Sequence, residues 1–138
     1  MNKLSVIIPV YNDRENLAKC LDALEKSHFK DYQLIVVDDG STDQSWSIIS
    51  RHALKDKKVR GIRFTRNFGH QHAVLAGLRA TQFSYIGIID ADLQDPPEYI
   101  LTMLQMFEES SLSLRDLSVV QTVRSDRVSD SFFKSIKS

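Results

Sequence analysis

Cysteine, glycine and proline are all scarce in this chain. Among 138 residues there are 1 cysteine (Cys20), 5 glycines and 3 prolines. A lone cysteine excludes an internal disulfide framework and a thiolate-rich zinc site, and it leaves a cytosolic setting as the default expectation. So little glycine and proline excludes collagen-like and low-complexity architectures. Surplus charge is missing as well, because 18 Lys and Arg balance 18 Asp and Glu. That balance argues against a dedicated nucleic-acid binder. Long apolar runs are absent too. The N-terminal stretch Leu4 to Pro9 is too short for a signal peptide, and no later run approaches the roughly 20 residues of a transmembrane helix. Two nucleotide fingerprints are also lacking, G-x-G-x-x-G after the first strand and the P-loop G-x-x-x-x-G-K-[ST]. A nucleotide site in this chain must therefore be assembled from carboxylates, a metal and arginine.

What is present is a regular alternation. With 42% hydrophobic residues the chain fits one globular domain with a real core. Short β-branched runs at Leu4 to Pro9, Leu34 to Val37, Val59 to Thr65, Tyr85 to Ile89 and Leu117 to Val123 predict five strands. Runs this apolar predict burial on both faces and hence parallel pairing. Between them, Leu17, Cys20, Leu21 and Leu24 repeat at i, i+3, i+4, i+7 and predict an amphipathic helix over 13–27, with Cys20 in the core. A second helix carries Trp46, Ile49 and Ala53 and is expected to be capped by Ser41 or Thr42. A third spans 71–80 with small residues at Ala73, Ala76, Gly77 and Ala80, and a fourth spans 98–109 behind Pro96 and Pro97. Strict alternation predicts an α/β fold with a doubly wound parallel sheet.

In such sheets ligands bind outside the carboxyl ends of the strands. Four polar clusters follow the first four strands: Tyr11-Asn12-Asp13, Asp38-Asp39-Gly40-Ser41, Arg66-Asn67-Phe68-Gly69 and Asp90-Ala91-Asp92. In the last, two carboxylates at i and i+2 of an extended backbone point to one side and can share a hard divalent cation, although Asp is also an ordinary turn residue. Asp38 and Asp39 divide evenly between capping the next helix and accepting hydrogen bonds from a ribose or base. Arg66 can reach a phosphate bidentately, and its ordinary alternative is a solvated surface side chain. His70 and His72, two apart at a helix start, are poorly spaced to share a metal and suit surface or substrate contacts.

Taken together, Val6-Ile7-Ile8-Pro9-Val10-Tyr11-Asn12-Asp13, Val36-Val37-Asp38-Asp39-Gly40-Ser41-Thr42-Asp43, Arg66-Asn67-Phe68-Gly69-His70-Gln71 and Asp90-Ala91-Asp92-Leu93-Gln94-Asp95-Pro96-Pro97 resemble family 2 glycosyltransferases, and most closely their polyprenyl-phosphate hexosyltransferase branch. The resemblance implies a GT-A, Rossmann-like fold whose first half binds a UDP- or GDP-linked sugar. It places Pro9, Tyr11 and Asp13 beside the nucleoside, with Asp13 standing where the family more often has Glu. Asp38 or Asp39 would hold base or ribose, and Arg66, Gln71 and Ala91 would complete the nucleotide-sugar site. It gives Asp90, Asp92 and Gln94 to Mg2+ or Mn2+, and, through a looser match over Val120 to Arg127, it gives Arg124 and Arg127 to phosphate contacts. The catalytic set it implies is Asp90, Asp92, Arg124 and Arg127. A polyprenyl phosphate acceptor is already largely ionised at neutral pH, with a second pKa near ~6, so it can attack the sugar without a protein base. Inversion at the anomeric carbon follows.

The same resemblance implies that 138 residues hold the donor-binding part of the domain, without its acceptor part or any membrane helices. Phe132, Phe133 and Ile136 beside Lys134 and Lys137 read either as a membrane-surface segment or as a truncated helix. Two functions remain open, a metal-dependent transferase at the cytoplasmic membrane face and a nucleotide-sugar-binding module without transfer. A receiver-like signalling domain is a weaker third reading, since Tyr11-Asn12 stands where an acidic pair is expected.

Overall fold

A computed structural model describes residues 4–27, 31–83, 85–92, 96, 99–109, 117–124 and 131–137, with the backbone alone from 107 onward. The chain divides into two units, 1–98 and 99–138.

The first unit is the alternating one. Its elements are β1 (Leu4–Val10), α1 (Arg14–Glu25), β2 (Tyr32–Asp38), α2 (Ser45–Lys55), β3 (Val59–Arg63), α3 (His70–Ala80) and β4 (Tyr85–Ile88). The strands form one sheet in the order β3-β2-β1-β4, and every pairing is parallel. The chain first winds outward from β1 through β2 to β3, then returns to lay β4 on the other side of β1. That reversal is the topological switch point at which open α/β sheets bind ligands.

Central strands need cover on both faces, and here they have it. All seven residues of β1 are buried. On one face Ile7, Ile35 and Val37 pack with Ala73 of α3, all 0% exposed. Gly77 lets α3 sit this close, because a Cβ there would meet Ile7 Cγ2 at 2.4 Å. On the other face α1 buries Leu17, Cys20, Leu21 and Leu24, the four positions its periodicity predicts. Next to it α2 buries Ile49, which together with Trp46 lies over Gly61 of β3.

Two expectations are corrected here. β3 and β4 are edge strands and are not buried on both faces; Ile86 and Ile88 remain 45% and 46% exposed. Half-covered strands and fully covered ones carry similar apolar runs, so the run alone does not place a strand in the sheet. The second unit holds the other correction. It contains α4 (Tyr99–Glu109), β5 (Leu117–Arg124) and β6 (Ser131–Lys137). β5 is no fifth parallel strand, and the C-terminal segment is no helix, because β5 and β6 pair antiparallel as a separate two-stranded sheet. Residues 125–130 alone separate them, and a parallel crossover needs a dozen or more.

Candidate functional site

The β1–α1 and β2–α2 loops are tied to each other by Asn12. Its backbone takes a positive φ of 48°, which Asn tolerates better than most residues. Its N–H donates to Ser41 Oγ at 2.9 Å, while its Oδ1 accepts from Thr42 N at 2.7 Å and Asp43 N at 3.3 Å. Arg14 adds a second tie, from its N–H to Asp43 Oδ2 at 3.3 Å and from its guanidinium to Gln44 Oε1 at 3.1 Å. Ser41 and Thr42 are therefore not the helix caps their residue types suggested. Helix α2 starts at Ser45 behind Gln44, and the Ser45 N–H donates to Asp43 Oδ1 at 2.8 Å. Burial pushes the Asp43 carboxyl up, but donation from Ser45 and from the Arg14 N–H outweighs it and leaves the pKa lowered.

Asp38 and Asp39 are both buried, at 0% and 4% exposure. Asp38 Oδ1 accepts from the Ser41 N–H at 3.0 Å and closes the turn. Its Oδ2 accepts no hydrogen bond among the described residues and lies 3.9 Å from Arg63 Nε. Asp39 organises the β3–α3 loop across the sheet edge. Its carboxylate accepts from Phe68 N at 2.8 Å, from Gly69 N at 3.1 Å and from Asn67 Nδ2 at 3.2 Å. Between the two loops Gly40, at φ +73°, lies so close that a Cβ would fall 2.2 Å from the Arg66 carbonyl carbon. Only glycine satisfies both demands.

Asp90-Ala91-Asp92 is built differently. β4 ends at Ile88, with one further ladder bond from Ile89 N to Ile7 O at 3.0 Å, so the motif sits just beyond the strand. Ala91 is buried at 4% exposure while Asp90 and Asp92 are exposed on either side of it. The inward methyl holds the turn down, and both carboxylates stay outward.

Two adjoining hollows lie at the switch point and share Pro9, Val10, Tyr11 and His70. The first, of about 270 Å³, is completed by Asp13, Asp90, Ala91 and Asp92. The second, of about 290 Å³, is completed by Asp39, Asn67, Gly69 and Ala73. Of the expected site residues, Pro9, Tyr11, Asp13, Asp39, Asp90, Ala91 and Asp92 thus come together. Asp38 lines neither hollow. Arg66 and Gln71 line neither as well, and the Arg66 guanidinium stacks on the Phe68 ring at 4.0 Å. Gln94 and Arg127 lie outside the described residues, and Arg124 ends β5 in the second unit. His70, read as a surface or substrate contact, lines both hollows. The structural roles of Asn12, Gly40 and Asn67 were not read from sequence; a Gly and two Asn in strand-end turns were the available signal.

No group of three or more His, Cys, Asp or Glu side chains suited to a metal occurs among the described residues. Two exposed carboxylates on one hollow are nonetheless a hard-oxygen donor pair, and they fit a cation that takes its other ligands from phosphate and water.

The sequence model described as Glycosyl transferase family 2 matches residues 5–135. An uncharacterized glycosyltransferase of Bacillus subtilis, YkcC, is 40% identical over 134 residues, covering 94% of this chain and 39% of the relative. The undecaprenyl-phosphate 4-deoxy-4-formamido-L-arabinose transferase of Proteus mirabilis is 38% identical over 138 residues, covering 97% and 40%. The chain thus spans about two fifths of the length of these relatives. Among solved structures, Staphylococcus aureus TarS 1-349 superposes with a TM-score of 0.68 at 25% identity, over 79% of this chain and 33% of that one. A mannosyltransferase of Pyrobaculum calidifontis in complex with GDP-Man and Mn2+ gives 0.67 at 24% identity, over 76% and 32%. The parallel sheet with flanking helices is the GT-A arrangement.

Proposed function

The chain belongs to glycosyl transferase family 2, and from that premise we propose that it carries the donor side of a metal-dependent, inverting hexosyltransferase acting on a polyprenyl phosphate or related acceptor in cell-envelope glycan synthesis. One observation carries the proposal. Asp90 and Asp92 flank a buried Ala91 and share a hollow with Pro9, Tyr11 and Asp13 at the switch point of the sheet. In this reading the nucleoside of a UDP- or GDP-sugar lies against Pro9 and Tyr11, whose ring is 50% exposed and free to face a base. Asp39 and Asn67 border the ribose side, with Asp38 behind them. Asp90 and Asp92 hold Mg2+ or Mn2+, which when bound neutralises charge on the diphosphate leaving group. His70, in reach of both hollows, is placed to donate to a phosphate oxygen. Gln94, Arg66, Gln71, Arg124 and Arg127 are kept as candidate donor-site contacts. Because the acceptor phosphate arrives ionised, no side chain is assigned as its base.

Support comes from the P. mirabilis relative, an undecaprenyl-phosphate 4-deoxy-4-formamido-L-arabinose transferase, and from the Mn2+ and GDP-Man held by the P. calidifontis structure. Among the described residues those lining the hollows fall within 9–92, and donor binding without transfer is the second reading. Peripheral contact with the cytoplasmic membrane face belongs to the first reading. Among the described residues no helix is long and apolar enough to cross a membrane.

Calorimetric titration with UDP-, GDP- and CDP-sugars, with and without Mn2+, tests the site. Metal-dependent binding of one donor is expected, and metal-independent binding unaffected by Asp92→Ala would sink it. Sugar transfer to a polyprenyl phosphate by the chain separates transferase from binding module.

A further inference from the structure

Charge balance over the whole chain hides a strong local imbalance. Arg51, Lys55, Lys57, Lys58, Arg60 and Arg63 all fall within thirteen positions, and Asp56 is the one carboxylate among them. The fold gathers these residues around the end of α2 and the outer edge of the sheet, where among the described residues β3 pairs only with β2. On α2, Arg51, Leu54 and Lys55 stand at i, i+3 and i+4 and share one helix face. Leu54 is 89% exposed, the most exposed large apolar side chain described. Lys57 and Lys58 occupy the turn that follows, and Arg60 is exposed on the edge strand.

Neighbouring acids only partly offset this charge. Asp22 and Glu25 of α1 line a cavity with Arg51 and Lys55, and Asp56 accepts the Lys58 N–H at 2.9 Å. Two of the six cations are engaged by the fold: Arg63 lies 3.9 Å from Asp38 and over the Trp46 ring, and Lys58 Nζ lies 5.4 Å from the centre of the Tyr32 ring. A charged edge also discourages edge-to-edge strand pairing. That protection would be served without an apolar side chain projecting from the middle of the cations.

We propose that this surface, the end of α2 with the β3 edge, docks on an anionic phospholipid bilayer, with Leu54 entering the interface and the exposed Arg51, Lys55, Lys57 and Arg60 facing the headgroups. Surface cations are drawn to anionic headgroups, and an apolar side chain that enters the interface adds to that attraction; both are on this face. A nucleic acid would use the cations but not Leu54. The proposal is independent of the donor site, because none of these residues lines either hollow.

The test is cosedimentation of the full chain with vesicles of pure phosphatidylcholine and of phosphatidylcholine mixed with phosphatidylglycerol. Binding to the anionic vesicles alone is expected, and it should collapse when salt is raised from about 0.1 M to about 1 M, as the screening length falls from about 10 Å to about 3 Å. The triple change Lys55→Gln, Lys57→Gln, Arg60→Gln should weaken binding on the order of a hundredfold, since each surface cation contributes roughly a fivefold factor. Leu54→Ser should weaken it severalfold without altering the salt dependence, while Arg79→Gln on the other face of the sheet should leave it unchanged. Circular dichroism melts verify that each variant folds, and Leu54→Ser carries the test if the triple variant does not. Undiminished vesicle binding by the triple variant or by Leu54→Ser, equal binding to both vesicle types, or patch-dependent binding of single-stranded RNA where vesicles do not bind overturns the proposal.

Discussion

Two acidic pairs close the two strands that flank β1 in one sheet, and they do opposite things. Asp38-Asp39, after β2, is buried and spends its oxygens on the chain's own N–H groups at Ser41, Phe68 and Gly69. Asp90-Ala91-Asp92, after β4, buries its alanine and leaves both carboxylates exposed on a hollow. The spacing explains part of the difference. Asp38 and Asp39 are adjacent and both are drawn into the loop framework, whereas Ala91 takes the buried place between Asp90 and Asp92. Position in the sheet explains the rest, since β2 lies between β1 and β3 whereas, among the described residues, β4 pairs with β1 alone. One pair builds the frame, and the other is the pair proposed to meet the ligand.

The comparison predicts a separation of stability from binding. Gly40→Ala should have the largest effect, about 4 kcal/mol of lost stability by urea denaturation, because a Cβ meets the Arg66 backbone and the φ is left-handed. Asp39→Ala should cost about 2 kcal/mol by the same measurement, since the part-buried N–H groups of Phe68 and Gly69 lose a charged acceptor. A smaller loss there, with donor affinity abolished instead, would move Asp39 from frame to ligand. Asp90→Asn and Asp92→Asn should each lower metal-dependent donor affinity in calorimetry by at least the roughly 10–100-fold that losing a supporting partner costs. Their unfolding free energies should stay within about 0.5 kcal/mol of the parent, as for other exposed positions. Asp43 provides the finest measure. Its lowered pKa contributes stability that is fully present above the ordinary carboxylate value of ~3.9 and is lost as the pH falls through the folded value. Asp43→Asn should remove that part of the acid-side slope in urea midpoints measured against pH.

Much of this arrangement is legible in the chain itself. Leu17, Cys20, Leu21 and Leu24 identify α1 because helical burial repeats locally, and the runs at Ile7 and Ile35 identify β1 and β2 for the same reason. Which acidic pair is structural was not legible. Asp39 is fixed by N–H groups at Phe68 and Gly69, some thirty residues away, and nothing in Asp38-Asp39-Gly40-Ser41 records that distance. Ser41 was misread as a cap for a related reason, since its hydroxyl serves Asn12 across the same gap. Partner choice also escaped the apolar run at Leu117, which suits a parallel or an antiparallel neighbour equally.

The Asn12 tie also fixes how the donor side opens. Its side chain holds Thr42 and Asp43 while its own N–H is held by Ser41, so neither loop can lift away without breaking bonds in the other. Fluctuations that expose these amides are therefore cooperative, and hydrogen exchange at Asn12, Thr42 and Asp43 should share one opening free energy in place of three. Tyr11 and Asp13 flank that tie, so under the proposed function a donor would meet a wall that moves as a unit and costs little to order.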